Sequence, residues 1–247
     1  MILASAQTKP IRGNINANIE DHIRLVNIAS REGANLILFP EMSLTGYERE
    51  NASMFQFENN DSRLDPLKEI AELKEIIIIA GAPIRINEHL YIGSFVISPD
   101  RSIEIYTKHF LHPGEEISFK HSFEYDPLIE IENEKISLAI CADIDHIEHP
   151  RMAAERGTTI YLPGIFFSPN GIPEAYSVLS SYAKEFSMCI LMSNFGGPSW
   201  GQESGGKSAF WDNRGKLLCG LGSGESGLLL VESRNEGWNC LILEVYS

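Results

Sequence analysis

Three chemically reactive side chains stand within two residues of the end of an apolar run: Glu41, Lys108 and Cys141. Such runs are typical of buried strands, and in α/β sheets ligands bind outside the carboxyl ends of the strands. A thiol is only a few per cent ionised near neutral pH, so a nucleophilic Cys needs a base or a cation beside it. Glu41 could supply the base and Lys108 the cation. Taken together, the three residues therefore predict nucleophilic catalysis by a thiolate.

Taken singly, each residue has a simpler interpretation. Glu41 could be a charge at a helix N-terminus, Lys108 could be solvated and Cys141 could be a core residue. A binding protein that has lost its activity is therefore a non-enzymatic alternative, although the presence of all three groups argues against it. Labelling of Cys141 by a thiol reagent much faster than that of the other three cysteines would favour the interpretation as an enzyme over the inactive binding protein.

The elements that must position these groups can be read from the hydrophobic pattern. Continuous apolar runs predict strands that are covered on both faces. They lie at 2–6, 36–39, 76–80, 95–98, 103–106, 136–140, 159–162, 190–193, 208–211, 228–231 and 240–245. Helical spacing or capping signals predict helices near residues 19–33, 65–74, 152–156 and 173–188. Turn residues at 98–101 and 212–215 predict hairpins, and the absence of a linker or repeat predicts one mixed α/β domain over 1–247.

Composition excludes several classes of partner. The chain carries 20 Lys and Arg against 34 Asp and Glu, a net charge of −14, and has no basic run. We therefore expect no nucleic-acid and no membrane-surface binding. No apolar segment approaches the ~18 residues that would span a bilayer. Four widely spaced cysteines in apolar stretches predict buried thiols in a reducing compartment, so Cys189, Cys219 and Cys240 are interpreted as core and the protein is expected to be cytoplasmic.

Three segments resemble the signature blocks of the nitrilase superfamily of carbon-nitrogen hydrolases: Phe39–Tyr47, Tyr106–Leu111 and Ile140–Asp143. Asn194–Gly197 and Gly206–Gly215 look like the late Asn-x-x-Gly and Gly-x-Ser motifs of that family. The resemblance thus covers nearly the whole chain in the expected order. It implies a four-layer αββα sandwich of two mixed sheets with helices on both outer faces, usually assembled into homodimers or larger homo-oligomers.

The resemblance also implies an amidase-type hydrolase with no metal or organic cofactor. Glu41 would be the general base, Lys108 the oxyanion stabiliser and Cys141 the nucleophile that forms a thioester with a small amide. The Ala142 N–H would bind the oxyanion and Tyr47 would line the substrate site. A second site glutamate is expected as well, and the spacing to the aromatic Phe119 favours Glu115 over Glu116.

The substrate stays open between an amide, an N-carbamoyl compound and a nitrile. Two segments depart from the family pattern, Lys120–Phe123 and Glu148–Arg151. The resemblance therefore does not predict the substrate specificity of this chain. Aromatic residues near the expected mouth could wall a pocket or be core or dimer contacts; they are Tyr47, Phe166, Phe167, Phe195 and Trp200.

Two rival functions rest on motifs. Gly201–Ser208 satisfies the P-loop expression, but the turn at 212–215 leaves no room for the helix that must follow. The pairs His109-x-x-His112 and His146-x-x-His149, with Asp143 and Asp145 nearby, permit a metal hydrolase, although their spacing is not diagnostic.

Overall fold

Two mixed β-sheets form the centre of the computed structural model, which describes residues 1–234 and 237–245. The strands are β1 (Ile2–Gln7), β2 (Leu36–Leu38), β3 (Ile77–Ile86), β4 (His89–Ile97), β5 (Ile103–Thr107), β6 (Ile129–Ile131), β7 (Glu134–Ile140), β8 (Ile160–Gly164), β9 (Cys189–Met192), β10 (Ala209–Trp211), β11 (Leu217–Gly220), β12 (Gly227–Arg234) and β13 (Gly237–Glu244). One sheet has the order β13-β12-β1-β2-β3-β4-β5 and the other the order β11-β10-β9-β8-β7-β6. Parallel pairing joins β1, β2 and β3 in the first sheet and β7, β8 and β9 in the second.

In the described part of the chain, four α-helices cover the outer faces of the two sheets: α1 (Ile15–Arg31), α2 (Asp65–Lys74), α3 (Glu148–Glu155) and α4 (Ile172–Glu185). Alternate residues of each central strand point to opposite faces. In β2, Leu36 and Leu38 pack into the core between the sheets, whereas Ile37 packs under α1 and α2. In β8, Leu162 faces the same core and Tyr161 packs under α3 and α4. The predicted αββα sandwich is therefore confirmed.

The predicted strands and helices are present, with boundaries that differ by up to six residues, most at β3 and β4. Asn14 begins α1 by accepting a hydrogen bond from the Ala17 N–H at 3.2 Å, and Pro66 occupies the first turn of α2. The hairpin predicted at 212–215 is present and joins β10 to the short edge strand β11. The prediction omitted β6, a three-residue edge strand with one buried residue. Within the described ranges, no helix has the length and apolar character needed to cross a membrane.

The interpretation of Cys219 and Cys240 as core thiols is wrong. The two residues form a disulfide that joins β11, at the edge of one sheet, to β13, at the edge of the other. Cys219 is half-buried and Cys240 is exposed, because both lie on edge strands rather than in the interior. Cys189 is buried as expected, with 7% of its surface exposed, and both Cys141 and Cys189 are free thiols.

His22 on α1 connects the outer helical layer to the segment that follows β2. Its Nε2 lies 2.9 Å from Ser43 Oγ, its Nδ1 lies 2.7 Å from the Asn18 carbonyl oxygen, and its ring stacks on Phe39 at 3.8 Å. The side chain is fully buried. Burial lowers the pKa of His22 to about 4.

Acidification should destabilise the fold through His22. Between pH 6.5 and 4 the unfolded chain binds a proton at this residue and the folded chain does not, so the free energy of unfolding falls as the pH falls. At one pKa unit per ~1.4 kcal/mol, the expected loss is about 2 kcal/mol between pH 7.5 and 5. Urea unfolding at the two pH values measures this loss in the free energy of unfolding. The His22→Gln variant should show a shallower pH slope than wild type, with exposed His89→Gln as the control, and an unchanged slope would contradict the assignment.

Candidate active site

Glu41 is positioned by two close backbone contacts. The segment after β2 passes so near to Gly81 on β3 that a Cβ atom there would lie 2.4 Å from the Met42 nitrogen. At Gly164 on β8, a Cβ atom would lie 3.0 Å from the Phe39 carbonyl oxygen. Both strands therefore need glycine where this segment crosses them. The result is a Glu41 side chain that is buried between the sheets.

Lys108 holds two carboxylates in this buried space. It follows β5, and its Nζ lies 2.8 Å from Glu41 Oε1 and 2.9 Å from Glu115 Oε2, with all three side chains fully buried. Glu116 instead is exposed and accepts from the Gly114 N–H. Spacing had favoured Glu115, and the structure places that residue beside Lys108.

The electrostatics of the cluster follow from burial and mutual charge. Burial raises the pKa of Glu41, an effect that the charge of Lys108 opposes. Burial acts to lower the pKa of Lys108, but the neighbouring acidic groups outweigh it and raise that pKa well above the usual value. Glu41 Oε2 has no hydrogen-bond partner among the described residues. The cluster thus presents one free carboxylate oxygen beside a stable ammonium group.

Cys141 lies at the tight turn between β7 and a short 3₁₀ helix, Cys141–Asp145. Its backbone has φ +42°, in the left-handed region, and 1% of its surface is exposed. Burial raises the pKa of the thiol, and the Glu41 charge adds to this, whereas Lys108 opposes it. His112 Nε2 lies 3.1 Å from the Cys141 Sγ. Ala142 is in the first turn of the 3₁₀ helix, where N–H groups have no acceptor within the helix.

Asp143 ties the Lys108 segment to the Cys141 turn. Its Oδ1 accepts the N–H groups of His109 and Phe110 at 3.0 and 2.9 Å, and its Oδ2 accepts the Ile140 N–H at 2.8 Å. The Tyr106 hydroxyl also donates to Oδ2 at 2.7 Å. A single buried carboxylate therefore fixes the distance between the amine and the thiol.

Asn194 and Ser208, from the two motifs near the C-terminal end of the chain, hold the loop that lies on the other side of the thiol. Asn194 Oδ1 accepts from the Phe167 N–H at 3.0 Å, and its Nδ2 donates to the Gly206 carbonyl at 2.8 Å. Ser208 donates both its N–H and its hydroxyl to Gln7 Oε1 on β1, at 2.9 and 3.1 Å. These bonds hold the loop after β8, whose Phe166 carbonyl oxygen is 3.9 Å from Cys141 Sγ.

An aromatic cluster lies beside the catalytic candidates. Tyr47 stacks on Phe166 at 4.5 Å and meets Phe195 and Trp200 edge-on. The Arg49 guanidinium lies 4.9 Å from the Trp200 ring centroid and 3.7 Å from Glu115 Oε1. Arg49, Glu115 and Trp200 line a cavity of about 310 Å³.

The structure brings the predicted residues together as one cluster, with Glu41, Lys108, Cys141 and Glu115 at its centre. Ala142 follows Cys141 in the sequence. Burial is the main cause that raises the pKa of Tyr47, and the nearby charges of Glu41 and Cys141 raise it further. Sequence reasoning missed the contact of His112 with the thiol and the position of Arg49. The proximity of His112 to Lys108 in sequence was the available signal.

The rival motifs lack their structural context. Gly201–Ser208 is followed by strand β10 and not by a helix, so no phosphate-binding helix N-terminus exists there. Within residues 1–234 and 237–245, no group of three or more His, Cys, Asp or Glu side chains could hold a metal ion. His149 instead lies 2.8 Å from both the Tyr106 and the Tyr161 hydroxyls.

Similar sequences include amidases and glutamine-dependent NAD(+) synthetases. A glutamine-dependent NAD(+) synthetase of Acinetobacter baylyi is 29% identical over 58% of this chain and 27% of its own length. A protein N-terminal amidase of Schizosaccharomyces pombe is 32% identical over 59% of this chain and 56% of its own length. A 2-oxoglutaramate amidase of Bacillus subtilis is 24% identical over 81% and 78% of the two chains. The chain thus matches about half or less of the first two relatives.

Solved structures share the fold. An amidase from Nesterenkonia sp. AN1, with acrylamide added at its active-site cysteine, superposes with a TM-score of 0.84 at 24% identity and covers 95% of this chain and 93% of its own. The glutamine-dependent NAD+ synthetase of Acinetobacter baumannii has a TM-score of 0.86 at 22% identity and covers 100% of this chain and 47% of its own. The sequence model of the carbon-nitrogen hydrolase family matches residues 2–238, and this chain therefore belongs to that family.

Proposed function

We propose that this protein hydrolyses the carbon-nitrogen bond of a small amide through a thioester on Cys141. One observation carries the proposal: a free thiol, a carboxylate and an ammonium group follow three different strands and meet in one buried site. Amidases among the similar proteins support the reaction class.

Each residue has a role that its surroundings support. Cys141 attacks the carbonyl carbon, and Lys108 together with the Ala142 N–H stabilises the negative oxygen that forms. Glu41 is the general base, because its Oε2 is free while Lys108 holds Oε1. Glu115 fixes Lys108 from the other side. Glu41 takes the thiol proton and also activates the water that hydrolyses the thioester.

Ammonia release tests the proposed reaction. Purified protein would be incubated with matched sets in which one organic group R is offered as the amide R–CO–NH₂, the nitrile R–CN and the N-carbamoyl amine R–NH–CO–NH₂. We expect ammonia from the amide at a rate at least tenfold above the rates from the other two. Faster turnover of the nitrile or of the carbamoyl compound would assign the site to that reaction instead, and turnover of none of the three would contradict the proposal.

A further inference from the structure

Arg49 is a mostly buried cation whose guanidinium has few partners. Its side chain is 19% exposed, and its Nη2 lies 3.7 Å from Glu115 Oε1, which is too long for a hydrogen bond. Its Cζ lies 4.9 Å from the centre of the Trp200 ring. We find no hydrogen bond from the guanidinium to any residue in 1–234 or 237–245. A guanidinium carries five N–H donors in a planar fork, so these donors are free to meet a ligand.

Other partly buried arginines use the same donors within the protein. Arg63 is 35% exposed and donates to Asp61 Oδ1 at 2.8 Å. Arg156 is 33% exposed and donates to the Asp126 carbonyl oxygen at 2.9 Å. Arg49 is less exposed than either, yet its donors stay unpaired among the described residues. Burying donors without acceptors costs free energy, and an anionic ligand that supplied the acceptors would offset that cost.

A cavity joins Arg49 to the carboxylate that holds Lys108. The cavity has a volume of about 310 Å³, at the lower end of the range for ligand sites, and Arg49, Glu115 and Trp200 line it. Glu115 Oε2 in turn lies 2.9 Å from Lys108 Nζ. A small molecule in this cavity is therefore within reach of both the guanidinium and the catalytic cluster.

Aromatic side chains connect the same cation to the thiol. Arg49 Cζ lies 5.8 Å from the centre of the Tyr47 ring, and Tyr47 stacks on Phe166 at 4.5 Å. The Phe166 carbonyl oxygen is 3.9 Å from Cys141 Sγ. The guanidinium is thus two aromatic side chains away from the proposed nucleophile. A molecule that contacts both therefore needs only a short chain between its two ends.

Two acids near Arg49 do not prevent an anion from binding. Glu115 is fully buried, and Lys108 Nζ donates to its two oxygens at 2.9 and 3.1 Å. Glu50 is 65% exposed and lies 3.2 Å from Arg12 Nη2. Each acid has a cation of its own besides Arg49, so the positive charge of Arg49 remains available to a ligand.

We propose that Arg49 binds a carboxylate at the far end of the substrate's acyl group, so that the preferred substrate is the monoamide of a small dicarboxylic acid. The inference rests on the proposed function and names its substrate class. The planar fork of a guanidinium matches the two oxygens of a carboxylate, and two parallel N–H···O bonds fix the orientation of the ligand. A carboxylate bound at Arg49 holds the amide at the other end against Cys141.

Hydrolysis of such a substrate balances as ⁻OOC–R–CO–NH₂ + H₂O → ⁻OOC–R–COO⁻ + NH₄⁺. The C–N bond breaks at Cys141, and the oxygen of water replaces the nitrogen at the acyl carbon. The carboxylate at Arg49 does not change in the reaction. Arg49 therefore acts on the binding of the substrate and not on the chemical steps.

Shape-matched pairs of amides test the proposal. Each pair carries at its far end either a carboxylate or an isopropyl group of similar shape, on a chain of one to four CH₂ groups. For wild type, we expect kcat/KM at the best chain length to be at least tenfold higher for the carboxylate compound. Equal values at every chain length, or a preference for the isopropyl compounds, would overturn the proposal.

Arg49→Met removes the fork and keeps much of the side-chain volume. In this variant, kcat/KM of the best carboxylate substrate should fall by about 10–100-fold, the usual range for a hydrogen bond to a charged group, chiefly through a higher KM. The isopropyl partner should change by less than threefold. Equal losses on both compounds would show that Arg49 only supports the structure, and they would overturn its role in recognition.

Binding to Cys141→Ala separates this inference from the proposed function, because it needs no turnover. In calorimetry with the same pairs, we expect a Kd at least tenfold lower for the carboxylate compound of one pair or more. Cys141→Ala/Arg49→Met should lose this preference. Equal affinities, or binding of neither compound at millimolar concentrations, would overturn the inference. If the preference is present while wild type releases no ammonia from any amide, the proposed function alone fails.

Arg101→Met is the matched control, because it also removes one arginine and one positive charge. Arg101 is 44% exposed, and its Nη1 lies 3.3 Å from Glu72 Oε2 on α2. This variant should match wild type with every compound. If thermal unfolding shows that Arg49→Met is not folded, Arg49→Gln takes its place, and the same outcomes apply to it.

Discussion

Replacing Cys141 by Ala should lower kcat/KM for the amide substrate by at least about 10⁴-fold, since loss of a covalent nucleophile removes the reaction path itself. The side chain is small and buried, so the fold should remain. Ammonia release measures the loss. The same experiment on Cys141→Ser asks whether an oxygen nucleophile can replace sulfur, and we expect a loss of similar size.

Cys189→Ala is the control for this prediction. Cys189 is the other free and buried cysteine, and it lies on β9. Its pKa is raised to about 11, chiefly by burial, and the residue belongs to the core between the sheets. The control variant should keep the activity of wild type. If Cys141→Ala keeps full activity, or if Cys189→Ala loses it, the assignment of the nucleophile is wrong.

Replacing Lys108 by Met should have the second largest effect. Methionine keeps much of the volume but leaves Glu41 and Glu115 buried without their shared cation. Removing one partner of a buried ion pair costs about 3–5 kcal/mol of stability, and loss of one oxyanion donor lowers kcat by about 10²–10³-fold. Urea unfolding and ammonia release measure the two effects separately. The exposed Lys184→Met variant is the control and should change neither.

A double variant separates the two roles of Lys108. In Glu41→Gln/Lys108→Met, the carboxylate that Lys108 alone had paired is gone, while Glu115 keeps its contact with Arg49, so stability should partly recover compared with Lys108→Met alone. Activity should not recover, because both the general base and the oxyanion stabiliser are missing. Stability losses that simply add across the two positions would show that Glu41 and Lys108 do not form the buried pair described above.

The positions of the three reactive groups could be predicted because each follows a run of strand-forming residues. Ligands bind outside the carboxyl ends of strands in α/β proteins, so Glu41, Lys108 and Cys141 were expected to form one site, although the pattern did not show that β2 and β5 belong to one sheet and β7 to the other. Spacing to Phe119 favoured Glu115 over Glu116, but the rotation that points Glu115 inward comes from the 3₁₀ turn after Gly114. Spacing alone does not give that rotation.

Contacts between distant segments could not be predicted. Cys219 and Cys240 meet because the edges of two different sheets lie side by side, and no local pattern records that arrangement. The same holds for Gly81 and Gly164, which contact the Glu41 segment from two sheets. Association into a homo-oligomer and the cytoplasmic compartment both stay predictions.

The left-handed backbone conformation at Cys141 is unfavourable for a residue with a side chain, so folding alone does not account for a cysteine at this position. A non-glycine residue with φ +42° costs on the order of 1–3 kcal/mol, a sizeable part of the ~5–15 kcal/mol that stabilises a typical domain. Glycine would adopt this conformation without that cost. For folding alone, position 141 would be better filled by the residue with no side chain. A thiol there is explained by the reaction that we propose for it, and the sharp turn is what places its sulfur 3.1 Å from His112 Nε2.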